Sequence, residues 1–358
     1  MLIKKDLKEN RIISLDGFRA LAAIGVCYIH SWSSFGNPQI NLFGFDFSKI
    51  LAIGGNGVDL FFVISGFIMY TNYGTKNYSV KEFLIKRWIR LSPAFYAASI
   101  VYISFSYFQN ADFPVFKSVL TSIFYLNNIL SKYSSAGLFW TLSLEWQYYL
   151  IFPIFTWIQY LKNFKTALII FSSAFGIIPL IIIIFWPETA SLLTDQILFR
   201  FFEFAFGMLA GKFYYNNNSD RKINILLFLP LLIIVYLGRV LISKNILEIF
   251  SVYNSFIKWL GFSIMGLGFA AILYWGLYQK WLTKVFKFTG LSYLGKLSYS
   301  FYLWHGLVIQ LFAQYLIKYG LFSTTNVFIT FVSTLIFLIP ISFISYRYLE
   351  KPFLHFKK

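Results

Sequence analysis

Ten charge-poor runs of 16 to 25 residues recur along the chain, near 18–33, 57–73, 93–109, 144–160, 166–186, 197–212, 223–238, 256–278, 293–317 and 326–346. An α-helix rises about 1.5 Å per residue, so runs of this length suit the roughly 30 Å hydrocarbon layer of a bilayer. The pattern predicts an all-α polytopic membrane protein of about ten transmembrane helices, organised as a single domain over 1–358. Residues 1–17 read as a polar lead and 347–358 as a polar tail. The first run is preceded by a charged segment and is long enough to span, so no cleavable signal peptide is expected.

Charge gives the pattern an orientation. With the N-terminus in the cytoplasm, 22 of the 31 Lys and Arg fall in cytoplasmic segments and seven in outer ones, as the positive-inside rule requires. Both termini are therefore expected to be cytoplasmic. The same count makes residues 115–130, VFKSVLTSIFYLNNIL, a re-entrant or interfacial element, because an eleventh span would move the Lys162 and Lys212 clusters outside. A chain that is 58% hydrophobic and 13% charged is not a soluble domain. Its net charge of +17 is spread between apolar runs, which reads as a topology signal and not as a nucleic-acid surface. The single cysteine, Cys27, excludes an intramolecular disulfide and a cysteine metal cluster, and no metal is expected.

The polar residues inside the apolar runs carry the candidate chemistry. SLDGFRALAAIGVCYIH, Ser14 to His30, joins Arg19 at the inner end of the first helix to an imidazole about 16 Å further along. An ionisable side chain at membrane depth is costly and points to function; the competing reading of His30 is a hydrogen-bonded packing residue. By the predicted topology the outer half of the membrane also gathers Asp59, Glu145, Arg200 and Glu203. Asp59 and Glu145 can each be read as helix N-terminal residues. Arg200 and Glu203, spaced i, i+3, can be read as a structural ion pair. At the inner face KEFLIKRWIRLSPAFY presents Lys86, Arg87 and Arg90 just before the third run. Two guanidinium groups three residues apart can grip one phosphate; positive-inside charge by itself is the simpler explanation, and Arg19 at the same face raises the phosphate reading. His305 reads as a tunnel-lining or a packing residue, Ser65 as helix packing, and His355 as a solvated tail residue.

The motifs SLDGFRALAAIGVCYIH, GVDLFFVISGFIMY, KRWIRLSPAFY, WTLSLEWQYYLIFP, RFFEFAFGMLAG, LGKLSYSFYLWH and YRYLEKPF, in that order, resemble those of the acyltransferase-3 family of bacterial membrane carbohydrate O-acyltransferases. The resemblance spans the whole chain. It implies a multi-pass enzyme of the bacterial cytoplasmic (inner) membrane that takes an acyl group, commonly from acetyl-CoA, to hydroxyls of an exported glycan or glycolipid such as O-antigen, lipopolysaccharide, capsule or exopolysaccharide, alongside polysaccharide-biosynthesis proteins. It places the family's essential arginine and histidine on Arg19 and His30, its paired arginines on Arg87 and Arg90, and its motif glutamate on Glu145. Trp146 stands where many relatives have a second acidic residue, and no SGNH esterase-like domain is expected after the membrane part.

Together these readings give an expected mechanism. Arg19, Arg87 and Arg90 hold the CoA phosphates, His30 is the general base, and Asp59 or Glu145 orients it. Trp140, Arg200, Glu203 and His305 are candidates for lining a tunnel or acceptor site. An acyl-enzyme on His30 or Ser65 is the variant mechanism. A glycan flippase or secondary transporter would use the same buried charges as relay or binding groups, but no internal repeat of the kind many transporters carry is visible.

Overall fold

The structure is a computed structural model that describes residues 12–39, 41–42, 45–46, 52–216, 223–249, 254–320 and 324–354. The lead up to Arg11, the loop residues 217–222 and His355 with the end of the tail lie outside the described residues. In chain order the elements are α1 Ile13–Ser33, a two-residue pairing of β1 Asn41–Leu42 with β2 Phe45–Asp46, α2 Gly57–Tyr73, α3 Val80–Gln109, α4 Val115–Ile123, α5 Trp140–Leu161, α6 Phe164–Phe185, α7 Pro187–Leu193 and α8 Ile197–Asn216. They continue with α9 Phe228–Leu241, α10 Lys244–Ile249, α11 Asn254–Leu277, α12 Lys280–Phe288, α13 Leu291–Lys318, α14 Thr324–Ser345, a π-helical turn Tyr346–Glu350 and α15 Lys351–Leu354.

Every one of the ten apolar runs is helical. Six stretches, Ile13–Ser33, Ala52–Tyr73, Val80–Gln109, Phe164–Phe185, Asn254–Leu277 and Val327–Leu354, are long and apolar enough to cross a membrane, as befits a multi-pass membrane protein. Helices α5, α8 and α13 have the length but are more polar, and they carry Glu145, Arg200 with Glu203, and His305. The apolar stretch Ile225–Leu241 is shorter. Along α6, Ile169, Ile170, Ile177, Ile178, Ile181 and Ile184 are exposed, an apolar face suited to acyl chains.

Four boundaries differ from the sequence pattern. Helix α3 begins at Val80 and runs 30 residues with Pro93 inside it, so Arg87 and Arg90 lie within the helix and not ahead of it. Pro93 looks like a helix start in sequence because proline favours a first turn; here the preceding turns are held by their own packing. Helix α5 starts at Trp140, which places Glu145 in its second turn. Residues 13–17, read as lead, are the first turn of α1, and 347–354, read as polar tail, continue the last helix. Segment 115–130 contains only the nine-residue α4, about 13 Å long and too short to span. Its hydroxyl residues Ser118, Thr121 and Ser122 are buried while Phe116, Leu120, Ile123 and Phe124 are exposed, an arrangement that favours an apolar environment outside the helix.

The chain divides into two compact units, one of Met1–Phe18, Asp59–Lys81 and Leu144–Ser292, the other of Arg19–Val58, Glu82–Ser143 and Tyr293–Lys358. In the first unit α2 and α8 approach backbone to backbone. A Cβ on Gly66 would run into the Phe204 carbonyl, and one on Gly207 into the Val63 carbonyl. The rings of Tyr148 and Phe204 stack at 4.2 Å and those of Phe175 and Phe201 at 4.1 Å, tying α5 and α6 to α8. Because no rotamer relieves a clash with backbone, Gly207→Leu is expected to cost about 3 kcal/mol or more. Fluorescence-detected gel filtration should register this as loss of the monodisperse peak.

In the second unit α1 packs against the 52–58 segment through Gly25 on Gly54 and Ala22 on Gly57. Phe35, Ala313 and Val327 form a small core between the segment after α1 and helices α13 and α14, and the rings of Tyr28 and Phe331 meet edge to face at 5.5 Å. These contacts fix the end of α1 that carries His30.

Candidate active site

The second unit brings two histidines together. His30 sits in the last turn of α1, and its Nδ1 lies 2.8 Å from Nε2 of His305 on α13. The ring planes lie 27° apart with centroids 4.9 Å apart, an edge-to-edge approach. His305 Nδ1 lies 2.6 Å from the carbonyl oxygen of Tyr302. His305 is 1% exposed whereas His30 is half-buried, so of the two rings His30 is the more accessible. An imidazole held by a second imidazole, itself held by a carbonyl, can exchange a proton with a hydroxyl.

The same unit holds the three arginines singled out by sequence. Arg87 is buried against Phe83, its guanidinium 5.9 Å from the ring centre. Arg90 follows one turn later, on the same side of α3. A residue that sequence reasoning left without a role joins them. Glu350, 4% exposed, accepts a hydrogen bond from Ser300 Oγ, which lies 2.8 Å from Ser345 Oγ. The charges of Arg90 and Arg19 both act on the Glu350 carboxylate. Glu350 stands in the quoted motif YRYLEKPF, so the signal was present, but a polar tail gave no reason to bury it.

The first unit holds the remaining candidates except Trp140, which belongs to the second. Arg200 donates from Nε to Glu203 Oε2 at 3.2 Å, the predicted i, i+3 pair, and from an Nη to Asp59 Oδ1 at 2.6 Å. Its guanidinium lies 3.6 Å from the centre of the Phe262 ring and 5.5 Å from that of Phe62. Gly266 leaves the space that the Glu203 side chain fills. Arg200, Asp59 and Glu203 are each 2% exposed or less, so the cluster is an enclosed ion network. Glu145 Oε1 accepts from Ser65 Oγ at 2.7 Å and from the Tyr149 hydroxyl at 2.5 Å. Trp140 is half-buried at the N-terminal end of α5. The structure thus groups His30 with His305, Arg19 and Arg90 with Glu350, Asp59 with Arg200 and Glu203, and Glu145 with Ser65. The group hydrogen-bonded to His30 Nδ1 is an imidazole where sequence reasoning expected a carboxylate from Asp59 or Glu145.

Among the described residues no group of three or more His, Cys, Asp or Glu could hold a metal ion.

Comparison with known proteins places this geometry in context. The family described as "Acyltransferase domain" (acyltransferase 3) matches residues 12–347. A peptidoglycan O-acetyltransferase of Listeria monocytogenes is 29% identical over 346 residues, covering 86% of this chain and 51% of its own. A candidate O-acetyltransferase of Staphylococcus aureus is 26% identical over 381 residues, covering 97% of this chain and 58% of its own. A candidate acetyltransferase of Acidianus two-tailed virus is 26% identical over 310 residues, covering 85% and 84% respectively. The chain thus spans about half the length of the first two relatives. No solved structure matches.

Proposed function

From the premise that the chain belongs to the acyltransferase-3 family, we propose that it is a membrane O-acetyltransferase that moves acetyl from cytoplasmic acetyl-CoA to a hydroxyl of an extracytoplasmic glycan. The peptidoglycan specificity in the name of the Listeria relative makes a cell-envelope polysaccharide the first acceptor to try. The observation that carries the reading is the gathering of Arg19, Arg87, Arg90 and the His30–His305 pair in one compact unit. On α1 itself, Arg19 and His30 stand about 16 Å apart, a span suited to a nucleotide phosphate at one end and a reacting acyl group at the other. Ten spans with both ends in the cytoplasm of a bacterial inner membrane agree with the Lys and Arg asymmetry.

Acetyl-CoA, when bound, supplies the activated acetyl group. Arg87 and Arg90 on α3, with Arg19 on α1, hold phosphate oxygens. His30 takes the hydroxyl proton as the new ester O–C bond forms and the thioester C–S bond breaks, and returns that proton to the departing sulfur. Asp59, Arg200 and Glu203, fully enclosed, serve the fold of the first unit in this reading.

The test uses purified protein in nanodiscs, acetyl-CoA labelled in the acetyl group, and a panel of bacterial glycans. Label on a glycan with matching CoA release is the expected result. Translocation of unmodified glycan without CoA release would replace the enzyme reading with a transporter. In the same assay Arg87→Ala should raise KM for acetyl-CoA about 10- to 100-fold, as expected for loss of a charge-assisted hydrogen bond. An unchanged KM would remove Arg87 from the donor site.

A further inference from the structure

The hydrogen bonds around His305 fix more than its position. Its Nδ1 faces the Tyr302 carbonyl at 2.6 Å, and a carbonyl oxygen only accepts. Nδ1 therefore carries the proton; the other tautomer would set a lone pair against a lone pair. In a neutral His305 ring that leaves Nε2 as an acceptor, and Nε2 is the atom 2.8 Å from His30 Nδ1. His30 must then donate from Nδ1, and its lone pair sits on Nε2.

The surroundings hold this chain of bonds in place. The Tyr102 hydroxyl accepts from the Leu307 amide at 2.7 Å and donates to the Leu303 carbonyl at 3.2 Å, gripping α13 on both sides of His305. Gly306 gives it room, since a Cβ there would come within 3.0 Å of the Tyr102 hydroxyl oxygen. The Tyr302 hydroxyl, in turn, donates to the Leu138 carbonyl at 2.8 Å and lies 2.7 Å from Thr141 Oγ1. A packing histidine needs one partner; this one is aligned at both nitrogens.

We infer that His305 is a positioning residue that sets the tautomer of His30, holding the proton on Nδ1 and making Nε2 the basic nitrogen presented to the acceptor hydroxyl. The inference rests on the acyltransferase reading where activity is concerned, and its structural half is measurable without turnover. Left to itself, neutral histidine favours the tautomer with the proton on Nε2, so His305 works against the ring's own preference.

The experiment combines histidine 15N spectroscopy of the membrane-reconstituted protein with steady-state acetyl transfer, using wild type, His305→Gln, His305→Phe and His30→Ala, the last also assigning the His30 signals. Wild type should show His30 protonated at Nδ1. His305→Gln, whose amide oxygen can accept in place of Nε2, should keep that tautomer and hold kcat within about threefold. His305→Phe should move the proton to Nε2 and lower kcat about 10- to 100-fold, with KM for acetyl-CoA and the melting temperature unchanged. A wild-type His30 protonated at Nε2, or a His305→Phe variant that keeps the Nδ1 tautomer and full kcat, overturns the inference. An Nδ1 tautomer in a protein whose His30→Ala variant still transfers acetyl would instead overturn the catalytic reading and leave the tautomer assignment standing.

Discussion

His30→Ala is expected to lower kcat for acetyl transfer by about 100- to 10,000-fold, the range a positioned general base contributes, while KM for acetyl-CoA changes little. His30 is half-buried in the last turn of α1, and the contacts that fix this end of the helix come from its neighbours, Trp32 and Phe35 in the small core and Tyr28 on Phe331. The variant should therefore fold and enter the membrane like wild type, which gel filtration can verify before activity is read. Imidazole added to the assay is expected to restore part of kcat by occupying the space left behind. A His30→Ala enzyme with wild-type kcat would remove His30 from the chemistry and leave the paired rings as packing.

The second large effect is on stability. Arg200→Leu leaves Asp59 and Glu203 facing each other in an enclosed site, where both carboxylates had been bonded to one guanidinium. Breaking a buried pair by removing one partner typically costs about 3–5 kcal/mol, because the charge left behind is uncompensated. That is a large share of the stability of most folded domains, so little folded protein should survive detergent extraction. The triple variant Asp59→Asn, Arg200→Leu, Glu203→Gln removes the charges together and should recover much of the folded fraction. Thermal melting followed by gel filtration reads both. Wild-type melting in Arg200→Leu alone would mean that the network contributes no stability and is kept for another purpose.

These two variants separate the two kinds of buried polar group in the molecule. Arg200 is gripped by carboxylates and lies on the Phe262 ring, fully enclosed; its removal disturbs the fold. His30 has one hydrogen-bonded side and is less enclosed; its removal is expected to disturb the chemistry.

Much of this was legible in the sequence. Among the described residues the apolar runs each fall on a helix, because a membrane segment has to satisfy its backbone within the helix and face lipid with apolar side chains, a requirement that leaves a continuous local signature. The i, i+3 spacing of Arg200 and Glu203 was enough to pair them, since one helical turn brings them side by side. The seven ordered motifs identified the family, and with it Arg19, Arg87, Arg90 and His30 as residues to examine. The start of α3 was misplaced because Pro93 looks like a first-turn residue, whereas packing carries the helix through it.

What tertiary structure alone decided is who meets whom across long stretches of chain. His30 and His305 are 275 residues apart, and no local pattern distinguishes a histidine that meets another from one that packs alone. Glu350 lay in a segment that read as polar tail, and only the fold buries it against Ser300 near Arg19 and Arg90. Asp59 completes the Arg200 network from a helix 141 residues away. The physical reason is the same in each case. Helix formation and membrane insertion are governed by the residues of one segment, whereas the proton-bearing nitrogen of an imidazole or the compensation of a buried carboxylate depends on atoms that other segments deliver.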